Sequence, residues 1–244
     1  MASRKAPICE NCGNPVKEVI CVLPAVDRRS DQDVIYAGCI MDFPAKKWDC
    51  LCWIDEPEHK VDLQIVVGDI TDLEVDAIVN AANPELQRGG GVCGAIFAAA
   101  GPGLAEEIAN KYPDGIETGE AVITGGYASK AKWIVHAVAP QATHQGSGDH
   151  AMLAMAYRNS LLLADAAGAK SIAFPSLGTR VSGWEVRKAA GHALHNGIFS
   201  LLLQLSSIES VTLCCFCEHD ADDYRVGRER LLYDEGMLET LGEG

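Results

Sequence analysis

Basic charge is in short supply in this chain. Its 244 residues carry 20 Lys and Arg against 34 Asp and Glu, a net charge of −14. Residues 1–60 hold eight basic and ten acidic side chains, leaving 12 against 24 in residues 61–244, or −12. That larger part has no field of lysines with which to grip a nucleic-acid backbone. A phosphate-bearing ligand there would have to be held by backbone N–H groups. Long apolar runs are also missing: none approaches the ~18–20 residues that a membrane span requires. The opening MASRKAPICENC has basic residues without an apolar core behind them, which argues against a secretory signal and makes a cytoplasmic location the expectation. No internal repeat or low-complexity tract appears, and no Walker phosphate motif.

Cysteine is plentiful. Six of the ten lie within the first 52 residues: Cys9, Cys12, Cys21, Cys39, Cys50 and Cys52. Without a secretory context a disulfide framework is disfavoured, and metal binding is the better reading of this cluster, with free thiols as the alternative. Cys9-x-x-Cys12 and Cys50-x-Cys52 supply the four ligands that tetrahedral zinc needs. The stretches ICENCGNP and AGCIMDFPAKKWDCLCW resemble bacterial zinc-ribbon segments, although the second pair is C-x-C rather than C-x-x-C. Cys39 and His59 are alternates for one ligand. A closed four-ligand site implies structural zinc and no redox cofactor. The cysteines Cys93, Cys214, Cys215 and Cys217 read as small hydrophobes.

The polar stretch DEPEHK (55–60) separates a small β-rich module, residues 1–54, from a larger part, residues 61–244. In the larger part, apolar runs (LQIVVGDI, VDAIVNAAN, GEAVITGG, KWIVHAVAP, SIAFPSLG, SVTLCCFCEH) alternate with helical stretches near 94–110, 150–167, 184–204 and 220–233. Several runs are apolar on both faces. This predicts an α/β fold with a mixed, mostly parallel sheet between helices. Ligands of such sheets sit beyond the carboxyl ends of the strands. NAANPELQRGGGV follows one strand and GTRVSGW another, so both loops are expected at one edge. Gly89, Gly90 and Gly91 run into a helix, and a glycine-rich loop with a free helix N-terminus suits a diphosphate.

Five motifs occur in order: GDIT (68–71), VDAIVNAAN (75–83), GGGVCGAI (89–96), IVHAVAP (134–140) and SIAFPSLGT (171–179). Together they resemble the macrodomain family of ADP-ribose-binding modules, over about residues 62–233. The resemblance implies a three-layer macrodomain fold, with ADP-ribose or an ADP-ribosylated protein as ligand. It also implies an ADP-ribosyl ester hydrolase, acting on mono-ADP-ribosyl protein or O-acetyl-ADP-ribose. The alternative is a non-catalytic reader brought to a protein partner by its zinc ribbon. By the same resemblance Asp69, with Ile70 beside it, matches the acid that accepts a hydrogen bond from adenine. Asn83 matches the amide at the distal ribose and is the candidate catalytic residue. Gly89, Gly90, Gly91 and Val92 match the first diphosphate loop. Gly178, Thr179, Arg180, Val181, Ser182 and Gly183 match the second.

Departures from the family pattern are equally specific. Cys93 stands where hydrolytic members carry an acid, and Phe97 where they often carry a histidine. Arg180 replaces a glycine and Ser182 an aromatic. Other readings compete for several positions. Asp69 could cap a turn, Asn80 could be structural, His136 reads as a satisfied strand-end histidine, and Trp184 is either a stacking face or core.

Overall fold

The computed structural model describes residues 61–142, 149–179 and 182–234. In chain order these form β1 (Asp62–Val67), a 3-10 turn (Ile70–Asp72), β2 (Ala77–Ala81), α1 (Gly91–Ala100), α2 (Pro102–Lys111), β3 (Ala121–Gly125) and β4 (Trp133–Ala137). They continue through α3 (His150–Ala166), β5 (Ser171–Pro175), α4 (Val186–His192), β6 (Ser210–Cys215) and α5 (Glu218–Asp234). After α4 the helical path goes on as a π segment (Ala193–Ile198) and a 3-10 stretch (Phe199–Gln204) before β6. Among the described residues no single helix is long and apolar enough to cross a membrane.

The sheet order is β1-β6-β5-β2-β4-β3. All neighbours pair in parallel except β3, which runs antiparallel to β4. The expected mixed, mostly parallel sheet between helices is therefore present. One sequence expectation is corrected. The single helix near 94–110 is two helices, α1 and α2, whose axes bend by 103°. Gly101 adopts φ 79°, open to glycine at no steric cost, and Pro102 then starts a new helix at the position where its missing N–H is harmless.

Side chains alternate across the strands and so fill two cores. Ala77, Val79, Val135, Ala137, Phe174 and Leu213 face α3, α4 and α5, where Tyr157, Leu161, Leu194 and Tyr224 complete the packing. Ile78, Ile134, Ala173 and Cys214 face α1 and α2, meeting Ile96, Phe97, Leu104 and Ile108. Burial pushes the thiols of Cys214 and Cys215 up to about 11, so both behave as small apolar groups.

Strand pairing opens the sheet at one place. β2 pairs with β4 along its whole length, Ala77 to Ala81. With β5 it pairs only at Ala77↔Ile172 and Ile78↔Ala173. Beyond Ile78 and Ala173 these two strands no longer share a ladder, and the sheet parts toward its carboxyl edge.

Away from that edge, Asp165 near the end of α3 fixes the turn into β6. Its carboxylate accepts bonds from the N–H groups of Ser206 (3.0 Å), Ser207 (2.7 Å) and Ile208 (3.1 Å), and from the Ser206 hydroxyl (3.0 Å). Burial alone would raise this carboxyl, but the Ser207, Ser206 and Ile208 amides outweigh it and hold the group below the ordinary carboxylate range. A lowered carboxyl contributes stability above the unfolded value, and that contribution is lost as pH falls through the native one. Asp165→Ala is expected to cost on the order of 1–3 kcal/mol at neutral pH. In chemical denaturation the gap between variant and wild type should narrow in acid.

Candidate ligand-binding site

Because β1, β6, β5 and β2 are parallel, their carboxyl ends lie on one edge. Across that edge stand Asp69 after β1, Phe216 after β6, the 176–184 loop after β5, and Asn83 with the glycine loop after β2. β1 and β2 are three strand spacings apart, about 14 Å. That is the scale of an extended, several-part ligand rather than a single ring.

At one end, Asp69 Oδ1 accepts from the Thr71 N–H (2.9 Å) and the Thr71 hydroxyl (2.7 Å). Asp69 therefore does cap the 3-10 turn. The Thr71 bonds also hold its carboxyl below the usual range, so it is an anion at neutral pH. Both bonds fall on Oδ1, and the residue is exposed, so Oδ2 can still receive a donor. Ile70 turns inward at 3% exposure and forms part of the floor under α1. Next to Asp69 on the edge is Phe216, 79% exposed. Sequence reading missed it. The available signal was an aromatic set among three cysteines just past the end of the β6 run.

In the middle, Gly178 (φ 80°) and Gly183 (φ 78°) bracket the second loop in conformations that favour glycine. The Trp184 N–H closes it on Gly178 O (3.0 Å), and the Ala142 N–H donates to Ser182 O (2.6 Å). The Thr179 hydroxyl turns back to Ser176 O (2.9 Å). Trp184 is 2% exposed and its indole N–H donates to Pro140 O (2.8 Å), so it is core and not a stacking face. Arg180 and Val181 lie outside the described residues, as do Cys9, Cys12, Cys39, Cys50, Cys52 and His59. Among the described residues no group of three His, Cys, Asp or Glu side chains is placed to hold a metal.

At the far end, α1 begins at Gly91 with Gly90 as its cap and no side-chain cap. Its first N–H groups, with their share of the helix dipole, therefore face outward from the glycine loop. Gly91 has φ 55°. A Cβ on Gly94 would stand 2.8 Å from Gly89 O, so the loop folds tightly back onto the helix. Gly89 departs from the expected role, since its N–H is turned to Cys93 Sγ (3.3 Å). Asn83 is bracketed with Gln87: Nδ2 donates to Gln87 O (3.0 Å) and Oδ1 accepts the Gln87 N–H (2.9 Å). The bracket takes one amide hydrogen and one lone pair and leaves one further of each.

A family model for the Macro domain matches residues 79–193. A macro domain-containing protein of Caldanaerobacter subterraneus is 44% identical over 174 residues, which cover 70% of this chain and 98% of that protein. The chain belongs to the macrodomain family. It is also similar, at 40% identity over 176 residues (71% and 96% of the two chains), to the O-acetyl-ADP-ribose deacetylase of Salmonella typhimurium. The Oceanobacillus iheyensis macrodomain solved with ADP superposes with a TM-score of 0.65 at 37% identity, over 70% of this chain and 92% of that one. The Trypanosoma brucei macrodomain in complex with ADP-ribose gives 0.61 at 35% identity, over 67% and 68%. Variants of the Oceanobacillus protein have been solved with replacements at an asparagine, a glycine seven residues on, and an aspartate ten residues on. In this chain the same spacing falls on Asn83, Gly90 and Cys93.

Where that spacing puts an acid, this macrodomain has a thiol turned away from the edge. Cys93 is 5% exposed, accepts from the Gly89 N–H and donates to Gln87 O (3.7 Å). Behind it, Phe97 sets its edge against the His136 ring at 6.4 Å. His136 is fully buried and joined on both sides. Asn80 Nδ2 donates to its Nδ1 (3.1 Å), and Nε2 meets the Thr124 hydroxyl (2.9 Å), which donates to Ile134 O (3.3 Å). A neutral ring protonated on Nε2 satisfies this series. Burial drives the imidazole down to about 4. His136 and Asn80 therefore tie β2, β3 and β4 together beneath the site and take no direct part in it.

A histidine held neutral until about pH 4 loses stabilisation as pH falls from the unfolded value, near 6.5, because only the unfolded chain gains the proton. His136→Gln, which cannot titrate, should lose about 3 kcal/mol less stability than wild type between pH 6.5 and 4. Denaturant titrations across that range check it. Parallel losses in the two proteins would contradict the assignment.

Proposed function

We propose that the protein binds ADP-ribose along the carboxyl edge and hydrolyses ADP-ribosyl esters, on protein or as O-acetyl-ADP-ribose. The observation that carries this is the order of groups across the opened edge: an acceptor and an aromatic, then a glycine-bracketed turn and a helix N-terminus without a side-chain cap, then a rigid amide. Adenine is a flat ring with an amino donor, and Asp69 with Phe216 fits it. A diphosphate fits the α1 N-terminus and the 178–183 loop, which need no lysines. The distal ribose, rich in hydroxyls, fits the remaining hydrogen and lone pair of Asn83. The kinship with an O-acetyl-ADP-ribose deacetylase and the spacing match at Asn83 and Gly90 support the assignment.

Catalysis in this reading rests on positioning. Water held beside the diphosphate attacks the ester, while Asn83, stiffened by Gln87, fixes the ribose that carries it. Precise placement of this kind can supply a large part of a rate enhancement. Cys93 has both its hydrogen-bonding roles taken by the loop and no base beside it, so it is not the nucleophile. The alternative, a reader without turnover, shares the same groups and differs only in lacking that water.

For the N-terminal module we retain structural zinc held by Cys9, Cys12, Cys50 and Cys52. Purified protein should then carry about one zinc per chain. Cys12→Ser should release it without loss of ADP-ribose binding. Metal-free wild type with an ordered module would refute this.

Binding and turnover are tested on one sample, by calorimetric titration followed by an ester-hydrolysis assay. Asp69→Ala should cost about 1.5–3 kcal/mol, a ten- to hundredfold loss of affinity for ADP-ribose. Phe216→Ala should cost about 1–3 kcal/mol and weaken AMP and ADP-ribose alike, since both carry the base. AMP should bind less tightly than ADP-ribose in the wild type, and equal affinities would end the proposal. Turnover should survive Cys93→Ala and fall sharply in Asn83→Ala. Tight binding without any ester cleavage would instead select the reader.

A further inference from the structure

We infer that Tyr157 and Tyr224 are positioning residues for the diphosphate: their paired hydroxyls, buried behind the sheet, hold the chain at Leu177 and so set the backbone of Gly178 and Thr179 directly after it. The inference rests on reading the carboxyl edge as an ADP-ribose site. Tyr157 comes from α3 and Tyr224 from α5, and neither has any solvent exposure. Their hydroxyl oxygens are 3.1 Å apart. Tyr157 Oη accepts the Leu177 N–H at 3.1 Å, and the Ser176 hydroxyl donates to Cys215 Sγ (3.9 Å). The Leu177 N–H is thus tied to a pair of hydroxyls from two different helices.

The tie answers a need that the sheet creates. Past Ala173, β5 has lost β2 as a ladder partner, and the buried Leu177 N–H, two residues beyond the strand, is received by Tyr157 Oη and not by a sheet carbonyl. A phenylalanine pair would fill the same space without bringing hydroxyls into an apolar core, where an unbonded polar group is costly. The hydroxyls make sense if the backbone at 176–177 has to be held in one orientation. Burial pushes the Tyr157 phenol up to about 12, so it remains a neutral hydroxyl through ordinary pH.

The Tyr157 anchor is held from two sides. The Tyr157 ring packs on Phe174 at 5.2 Å, and a Cβ on Gly197 would lie 2.7 Å from Tyr157 Cβ, so the π segment presses against it from the other side. One residue beyond Leu177 the chain turns at Gly178, where a Cβ would come within 3.0 Å of the Trp184 ring. The loop is short and closed by Trp184. A tilt at Leu177 therefore reaches Gly178 and Thr179, the residues directly beyond it.

The test compares calorimetric affinities for ADP-ribose and AMP in the full-length wild type, Tyr157→Phe and Tyr224→Phe. Tyr157→Phe is expected to lower ADP-ribose affinity about tenfold and AMP affinity by less than about threefold, with unchanged stoichiometry, because the diphosphate depends on the loop more than one phosphate does. Tyr224→Phe keeps the Leu177 bond and is expected to lower the ADP-ribose-to-AMP ratio about threefold. A merely structural pair would reduce the melting temperature or the binding-competent fraction and leave that ratio unchanged. An unchanged ratio in folded Tyr157→Phe overturns the inference. If that variant fails to fold, an unchanged ratio in Tyr224→Phe overturns it instead. A wild type that does not prefer ADP-ribose to AMP overturns the reading of the site itself, and the first titration shows this before any variant is made.

Discussion

The parting of β5 from β2 is the constraint on which the rest of the site depends. Two parallel strands that stop pairing at Ile78 and Ala173 leave backbone groups facing an opening instead of each other. Such a crevice between parallel strands is where α/β sheets bind ligands. It is also a liability, because buried backbone groups must find partners. Buried side chains brace each bank of the opening. On the β2 side, Asn80 and His136 lock the strand to β4 and β3. On the β5 side, Tyr157 takes the Leu177 N–H. The two arrangements lie behind opposite faces of the sheet, the first in the core under α1 and the second in the core under α3 and α5.

Those locks allow the loops themselves to stay light. The glycine loop has no side-chain cap on its helix and little bulk. Its shape comes from three contacts made by its neighbours: Asn83 with Gln87, Cys93 with Gly89, and Gly94 close under Gly89 O. Small residues there leave the N–H groups accessible, which an acidic protein needs if it is to bind a diphosphate without lysines. Rigidity is supplied from the core and chemistry from the backbone. This division explains why the polar residues buried beneath the site are not the residues expected to touch the ligand.

Much of this was legible in the sequence, for definite reasons. Strand runs apolar on both faces require helices on both sides, so the layered architecture and the shared edge for NAANPELQRGGGV and the 178–183 loop come directly from the pattern. His136 was readable as a core residue because it lies within an apolar run, IVHAVAP. The strand order and the antiparallel β3 were not readable, since they depend on contacts far apart in the chain. Gly101-Pro102 did announce a break, yet small apolar residues on both sides made one helix look continuous. The Asn83–Gln87 bracket was hidden for another reason. Asn side chains bind nearby backbone or a ligand equally well, and spacing alone does not choose between them. Phe216 was missed because an apolar residue beside a strand run looks like part of it until its exposure is known.

Cys93 is more than an acid removed. Its thiol donates to Gln87 O and accepts from the Gly89 N–H, so it satisfies one acceptor and one donor of the loop at once. An ionised carboxylate only accepts. Placed here it would suit the Gly89 N–H but set negative charge against the Gln87 carbonyl, whose amide group also holds Asn83. The loop would have to rotate Gln87 away, and the Asn83 bracket would loosen with it. The identity of residue 93 and the conformation of 83–89 are therefore coupled. An acid introduced by Cys93→Asp alone would gain a candidate base while disturbing the amide proposed to position the ribose. Gly89 and Gln87 would have to change along with it before the two effects could be separated, so the loop around Cys93 fits the proposed catalysis by positioning better than catalysis by a general base.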